Sequence, residues 1–114
     1  MPLLKLQTSV SLSDKKTEAL LASLSKIVAE TIGKPEQYVM VTMDTTSVMM
    51  AGKAGDAAFA DLRSIGGLGP DVNTRLSQRI CDALNESLGL APNRVYINFT
   101  DVSAASWGWN RDTF

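Results

Sequence analysis

Pro2, directly behind the initiator Met1, is the residue of this chain best suited to acid–base chemistry. Removal of Met1, favoured by the small bulk of the proline that follows, leaves a chain that begins with a secondary amine. A chain-end amine set beside apolar groups can lose its charge near neutral pH and act as a base. The chain has no histidine, so the usual proton carrier at that pH is missing. The carboxylates are scattered, with no pair that reads as an acid–base couple, and no Gly-x-Ser-x-Gly is present. The amine therefore leads a short list of candidate bases. Proline at this position is also common in proteins that make no use of it.

Other residues offer binding chemistry, each with a plainer use beside it. Tyr96 and Asn98 lie two apart in a strand-like run and share one face, while Val95, Ile97 and Phe99 take the other. A phenol and an amide side by side could hydrogen-bond a polar ligand, or could form a solvated or subunit-facing surface. Lys34 follows a helix-ending glycine, where it complements the helix dipole or binds a carboxylate. Ser64 to Gly69 sits between a strand and a helix, as phosphate loops do. Pro70 lacks an N–H, Asp71 adds negative charge and no Lys-Ser/Thr follows, so a phosphate loop is rejected. A turn with positive φ is expected, with backbone N–H groups still open to a small anion. Trp107 and Trp109 must bury something: the core edge, a neighbouring subunit or a flat ligand. Cys81 reads as an inert core thiol.

The elements that position these residues can be read from periodicity. Residues 2–10 alternate as a strand with one buried face, formed by Leu4, Leu6, Thr8 and Val10. Ser11 and Ser13 offer N-caps for a helix whose apolar stripe is Leu20, Leu21, Leu24, Ile27, Val28 and Ile32, closed by Gly33 and Pro35. Tyr38 to Met43 is a β-prone run, and Val48-Met49-Met50 is a candidate short strand. The second half repeats the plan. Ala57 to Ile65 reads as a strand and Pro70 opens a helix with the stripe Val72, Leu76, Ile80, Ala83, Leu84 and Leu88. Gly89 closes it, Val95 to Thr100 is a strand, and Trp107-Gly108-Trp109 a short last one.

Laid on each other half a chain apart, Pro35-Glu36-Gln37 faces Pro92-Asn93-Arg94, Asp44 faces Asp101, and Leu24 faces Cys81. The predicted fold is α+β, a two-layer α/β arrangement of duplicated βαβ units spanning about 1–57 and 58–114. Its four-stranded mixed sheet carries two helices on one face, with short extra strands. Each βαβ unit implies parallel strands. The other face holds Leu3 and Tyr96 and is expected to be covered by another subunit.

The bulk composition fits one domain of 114 residues, 45% hydrophobic and 20% charged, with net charge −1. That balance gives no reason to expect nucleic acid or an anionic membrane as partner. A lone Cys81 and no histidine make a zinc or copper site improbable, and no metal or cofactor is expected. With no signal segment and no bilayer-length apolar run, a cytoplasmic location is expected.

Taken together, several segments resemble the macrophage migration inhibitory factor family of the tautomerase superfamily, over essentially the full length. They are Met1-Pro2, Gly33-Lys34-Pro35 with Gln37-Tyr38, Ser64-Ile65-Gly66, Pro92 to Asn98, Asp101 to Ala105, and Gly108-Trp109-Asn110. The resemblance implies a homotrimer with active sites between neighbouring subunits. It also implies keto–enol tautomerisation of α-keto acids such as phenylpyruvate, and of dopachrome-like model substrates. The processed Pro2 would be the base. Lys34 and Ile65 would line the pocket from Pro2's own subunit, Tyr96 and Asn98 would come from the neighbour, Trp109 would form a wall, and Ser64 and Tyr38 would also bind substrate. The sequence departs from animal members in three ways. Ala57-Ala58-Phe59-Ala60 stands where they carry Cys-x-x-Cys, so thiol oxidoreductase chemistry is not expected. Trp107 replaces a valine and would narrow the pocket mouth. Arg63 replaces a histidine and would add positive potential for a carboxylate.

The expected mechanism has a neutral Pro2 removing a proton α to a carbonyl, with Lys34 on the substrate carboxylate and Asn98 and Tyr96 at its far polar end. The rival reading is a signalling or receptor-binding ligand, its receptor unknown, that keeps the pocket as a vestige. An RNA-binding βαββαβ module would need stacking aromatics and basic residues on its sheet. Two Trp, two Tyr, three Phe and a slightly negative charge argue against it.

Overall fold

A computed structural model describes residues 1–114. Strand β1 (Leu3–Thr8) leads into helix α1 (Asp14–Ile32) and strand β2 (Met40–Thr45); β3 (Ala58–Ser64) leads into α2 (Pro70–Leu88) and β4 (Val95–Asp101). A terminal hairpin, β5 (Gly108–Trp109) and β6 (Asp112–Thr113), closes the chain. The four long strands form one sheet in the order β2-β1-β3-β4. Each βαβ unit pairs its strands in parallel, and the two units join through antiparallel β1 and β3. The two-layer duplicated architecture is therefore as the sequence predicts.

Local chemistry explains the boundaries. The Ser13 hydroxyl accepts from the Lys16 N–H at 3.3 Å and starts α1. Gly33 and Gly89 end the two helices with φ of 81° and 68°, a left-handed conformation that costs glycine little. Strand alternation then decides what is buried. Leu4, Leu6, Ala58, Ala60 and Leu62 meet Leu20, Leu24, Val28, Leu76, Ile80 and Leu84 from the helices in one core. Each such leucine contributes about 1.5–3 kcal/mol through burial, and both helices lie on that single sheet face.

Three local expectations are corrected. Tyr38 is not in a strand: Pro35 and Glu36 carbonyls accept from Tyr38 and Val39 N–H groups, closing a 3-10 turn over Glu36–Tyr38. Val48 to Met50 forms no strand; a single antiparallel bridge joins Met50 to Lys53 around a turn with positive φ at Ala51 and Gly52. The last strand is half of a hairpin, whose return arm the sequence reading missed. No helix is long and apolar enough to cross a membrane.

The opposite sheet face has no cover within the chain. Tyr96 is 68% exposed and Met40 61%. On that face Asp61 lies beside Lys5 and Asn98 in register, and its Oδ1 is buried without a hydrogen-bond partner.

Candidate active site

Antiparallel pairing of β1 and β3 puts the start of one strand beside the end of the other, with Leu3 opposite Arg63. Pro2, at the head of β1, thereby comes next to the loop that follows β3. Its carbonyl accepts from the Met40 N–H at 3.0 Å, and its ring is fully buried. Before it, the Met1 amine is held below the usual α-amine range. Burial is the larger cause and the positive charge of Lys34 the second.

A cleft of about 500 Å³ opens here. Met1, Pro2 and Leu3 line it together with Tyr38, Met40 and Arg63. Ser106, Trp107, Trp109 and Phe114 close it from the chain's other end. Three rings pack together at that end. Trp109 and Phe114 stack with centroids 5.4 Å apart and planes 9° from parallel. Tyr38 meets both edge-on, at 5.8 Å and 6.2 Å. The hairpin turn that folds Phe114 back runs through positive φ at Asn110 and Arg111, and the Phe114 N–H donates to the Trp107 carbonyl at 3.1 Å.

Beside the cleft lies the Ser64–Gly69 loop. The Ser64 side chain is fully buried on the helix-facing side of β3, and its hydroxyl donates to the Gly66 carbonyl at 2.7 Å. It therefore shapes the turn and presents no side-chain contact to the cleft. The Asp101 carboxylate accepts from the Gly66 N–H at 2.8 Å, and Asn73 accepts from the Gly69 N–H at 3.4 Å. With those N–H groups spent, the loop is a poor anion cradle. Lys34 reaches across to donate its ammonium to the Ile65 carbonyl at 2.9 Å. Gly67 permits this close approach. Its φ is +79°, and a Cβ there would lie 2.5 Å from Ile32 Cγ2 and 3.4 Å from Lys34 Cε.

The predicted site residues fall in three places. Pro2, Tyr38, Arg63, Trp107 and Trp109 meet in the cleft; Lys34 and Ile65 are joined beside it, outside its walls. Tyr96 and Asn98 lie elsewhere, exposed on edge strand β4, where the Asn98 amide donates to Thr100 Oγ1 at 3.0 Å. They share no cavity with Pro2 within one chain. The sequence reading missed Met40, Ser106 and Phe114 as cleft walls. An aromatic at the end of the chain, shortly after the two tryptophans, was the available hint for Phe114. Burial pushes the Cys81 thiol up, with the neighbouring Asp82 charge adding to it, and Cys81 lies on α2 away from the cleft. No three His, Cys, Asp or Glu side chains converge in a way that could hold a metal ion.

Known proteins resemble this chain along its whole length. The profile of the Macrophage migration inhibitory factor (MIF) family matches residues 1–114. The macrophage migration inhibitory factor of Xenopus laevis is 36% identical over 115 residues, covering 100% of this chain and 99% of the relative. The homolog from Trichinella spiralis is also 36% identical, with 100% of both chains covered. Among solved structures, the Toxoplasma gondii macrophage migration inhibitory factor superposes with a TM-score of 0.95 at 31% identity, covering 98% of this chain and 99% of that one.

Proposed function

The chain belongs to the macrophage migration inhibitory factor family, and on that premise we propose that it is a tautomerase whose base is the Pro2 amine exposed by removal of Met1. The observation that carries this reading is the chain-end environment. A fully buried proline heads a strand, in an apolar cleft, where burial and Lys34 already favour the neutral form of an amine one residue away. A base that is neutral near pH 7 is the form that can accept a proton.

The substrate class is an α-keto acid of the phenylpyruvate type, with dopachrome-like compounds as model substrates. The Pro2 nitrogen takes the proton from the carbon next to the carbonyl. The electron pair of that C–H bond becomes the enol double bond, and the carbonyl oxygen gains the proton that the protonated Pro2 amine gives back, which leaves the amine neutral again. The carbonyl itself accepts the developing charge, so the step needs no cofactor. General-base catalysis of this kind contributes about 10²–10⁴-fold. The aromatic wall of Trp107, Trp109 and Phe114 suits a planar aryl group.

The working unit is a homotrimer. The uncovered sheet face, with Tyr96 and Met40 exposed and Asp61 Oδ1 lacking a donor, supports association through that face. In such an assembly Tyr96 and Asn98 complete the cleft of a neighbouring subunit.

The test is phenylpyruvate ketonisation and enolisation by protein whose intact mass shows loss of Met1, beside Pro2→Gly and beside protein that retains Met1. Turnover should require the processed chain and fall at least about 10²-fold in both controls. Full turnover by protein with Met1 attached, whose Pro2 nitrogen is an amide, would overturn the mechanism. Sedimentation equilibrium at a single-chain mass would overturn the trimer.

A further inference from the structure

We propose that a cavity between the start of α1 and the end of α2 is a second ligand site, and that it takes a free α-amino acid with an aliphatic side chain. The cavity measures about 310 Å³ and is lined by Leu12, Lys16, Ala19, Leu20, Glu86 and Ser87. It shares no residue with the cleft around Pro2 and stands independently of the tautomerase reading. The cleft lies at the head of β1; the cavity lies beyond the other end of that strand, where Leu12 leads into α1. Both helices cover the sheet face opposite Tyr96, so association through the uncovered face leaves this cavity open to solvent. Its size is at the low end of the range of about 300–1,000 Å³ for small-molecule pockets, which limits it to a small ligand.

Helix geometry puts an apolar surface and a charge together. Lys16, Ala19 and Leu20 are spaced i, i+3 and i+4, so they share one side of α1. Leu20 is almost wholly buried in the core and Leu12 packs against that core, while the small Ala19 leaves space that a longer side chain would fill. The second charge, Glu86, comes from α2.

Both charges have the wrong sign for their helix. Lys16 lies in the first turn of α1, where the backbone end is positive, and Glu86 in the last turn of α2, where it is negative. Neither has an opposite charge three or four residues away along its helix, and Asp82, four before Glu86, carries the same sign. The chain's two ion pairs lie elsewhere, at Arg63–Asp61 and Arg79–Glu30. Helix stability and ion pairing therefore account for neither side chain. What they create is a cavity whose α1 contribution is positive, whose α2 contribution is negative, and whose remaining lining is mainly aliphatic.

A zwitterion with an apolar tail matches all three. Its carboxylate accepts from the Lys16 ammonium, its own ammonium donates to the Glu86 carboxylate, and its side chain packs on Leu12, Ala19 and Leu20. The Ser87 hydroxyl can serve either charged group. A ligand with one charge leaves the opposite residue without a partner.

The experiment is a titration of the full, uniformly ¹⁵N-labelled chain, followed by amide chemical shifts, with L-leucine, N-acetyl-L-leucine, L-leucinamide and glycine. Leucine should move amides within residues 12–20 and 83–88 and saturate with a Kd of about 1 mM or tighter. Loss of the ammonium, the carboxylate or the side chain should each weaken binding at least about fivefold. Lys16→Gln should weaken leucine and leave leucinamide as in wild type; Glu86→Gln should weaken leucine and leave N-acetyl-leucine as in wild type. Ala19→Leu, which fills the cavity and touches neither charge, should abolish the shifts. Thermal melts test the plainer use of the two charges. Neither glutamine variant should melt below wild type, and the double variant should show the sum of the single effects. No saturable shifts, equal binding of all four compounds, or shifts confined to the Pro2 cleft would overturn the site. So would lower melting of both single variants with strong coupling between them, since the two side chains would then serve each other.

Discussion

The two βαβ halves share an architecture and differ in what they do with it. Each has a 19-residue helix ended by a left-handed glycine and followed by a 3-10 turn that opens the next strand. After Gly33 comes Lys34, whose ammonium crosses to the other half; after Gly89 comes Leu90, buried, with its carbonyl held by the Asn85 amide at 3.0 Å. Asp101, at the end of β4, caps the Gly66 N–H, whereas its counterpart Asp44 in β2 is exposed and makes no side-chain bond. Pro2 lies just ahead of strand β1, behind Met1, while its counterpart Phe59 lies inside a strand. The repeated parts build the sheet and the core. The cleft lies where the copies diverge, because antiparallel β1 and β3 bring the start of one half against the post-strand loop of the other.

The sharpest way to break this comparison is to make the two strand starts alike. An alanine inserted between Met1 and Pro2 converts the Pro2 nitrogen into an ordinary peptide amide, as at Phe59. Phenylpyruvate turnover at saturation should fall about 10²–10⁴-fold. The melting temperature should stay within about 2 °C, because Pro2's carbonyl bond to Met40 and its place in the core edge are untouched. Unchanged turnover would mean that the chain end does not distinguish the halves.

The repeated core offers the next test. Ile27 and Leu84 occupy matching helix positions, and both belong to the common core, Leu84 with no exposed surface and Ile27 with a little. Leu84→Ala should cost about 3–5 kcal/mol and Ile27→Ala about 2–3 kcal/mol, measured by urea unfolding. A clearly larger cost at Ile27 would show that the first half, not the second, anchors the core.

Those elements were legible because their signals are local. The 3.6-residue stripes, the glycines after them and the alternation of β1 and β3 each reflect one energetic preference acting within a dozen residues. Tyr38 was misread because its β propensity competes with Pro35, whose carbonyl instead organises a turn. The β6 arm was missed because its turn sits at Asn110-Arg111 and lacks the glycine that usually marks positive φ. Of the site, Pro2, Tyr38, Arg63 and the two tryptophans could be named from residue chemistry and resemblance. That Ser64 faces inward follows from strand alternation, which the resemblance overrode. Phe114 and Met40 enter the cleft only through tertiary folding, and no periodicity points to them.

A smaller effect separates the two aspartates. Asp101→Ala leaves the Gly66 N–H without its acceptor and frees the loop beside Pro2. It should cost about 1 kcal/mol in stability and lower kcat/KM for phenylpyruvate severalfold. Asp44→Ala should stay within about 0.5 kcal/mol. Equal effects in urea titrations and in kinetics would remove the functional asymmetry assigned to these positions.

The least effect is expected where the halves differ in the helix layer, at Leu24 and Cys81. Leu24 is fully buried; Cys81 takes the matching place half-buried, packed against the same core. Burial, then the Asp82 charge, raises the thiol's pKa in the folded chain. The neutral thiol's contribution to stability is therefore complete below the unfolded-state value of about 8.5 and is lost as pH rises through the higher folded value. As pH rises through the alkaline range, the wild-type melting temperature should decline more steeply than that of Cys81→Ala. The variant's lower packing shifts its whole curve and leaves the slope difference as the readout, which other alkaline groups share between the two proteins and so cancel. Parallel slopes would show that the thiol ionises as freely in the fold as out of it, and that the second helix treats this position as surface where the first treats Leu24 as core.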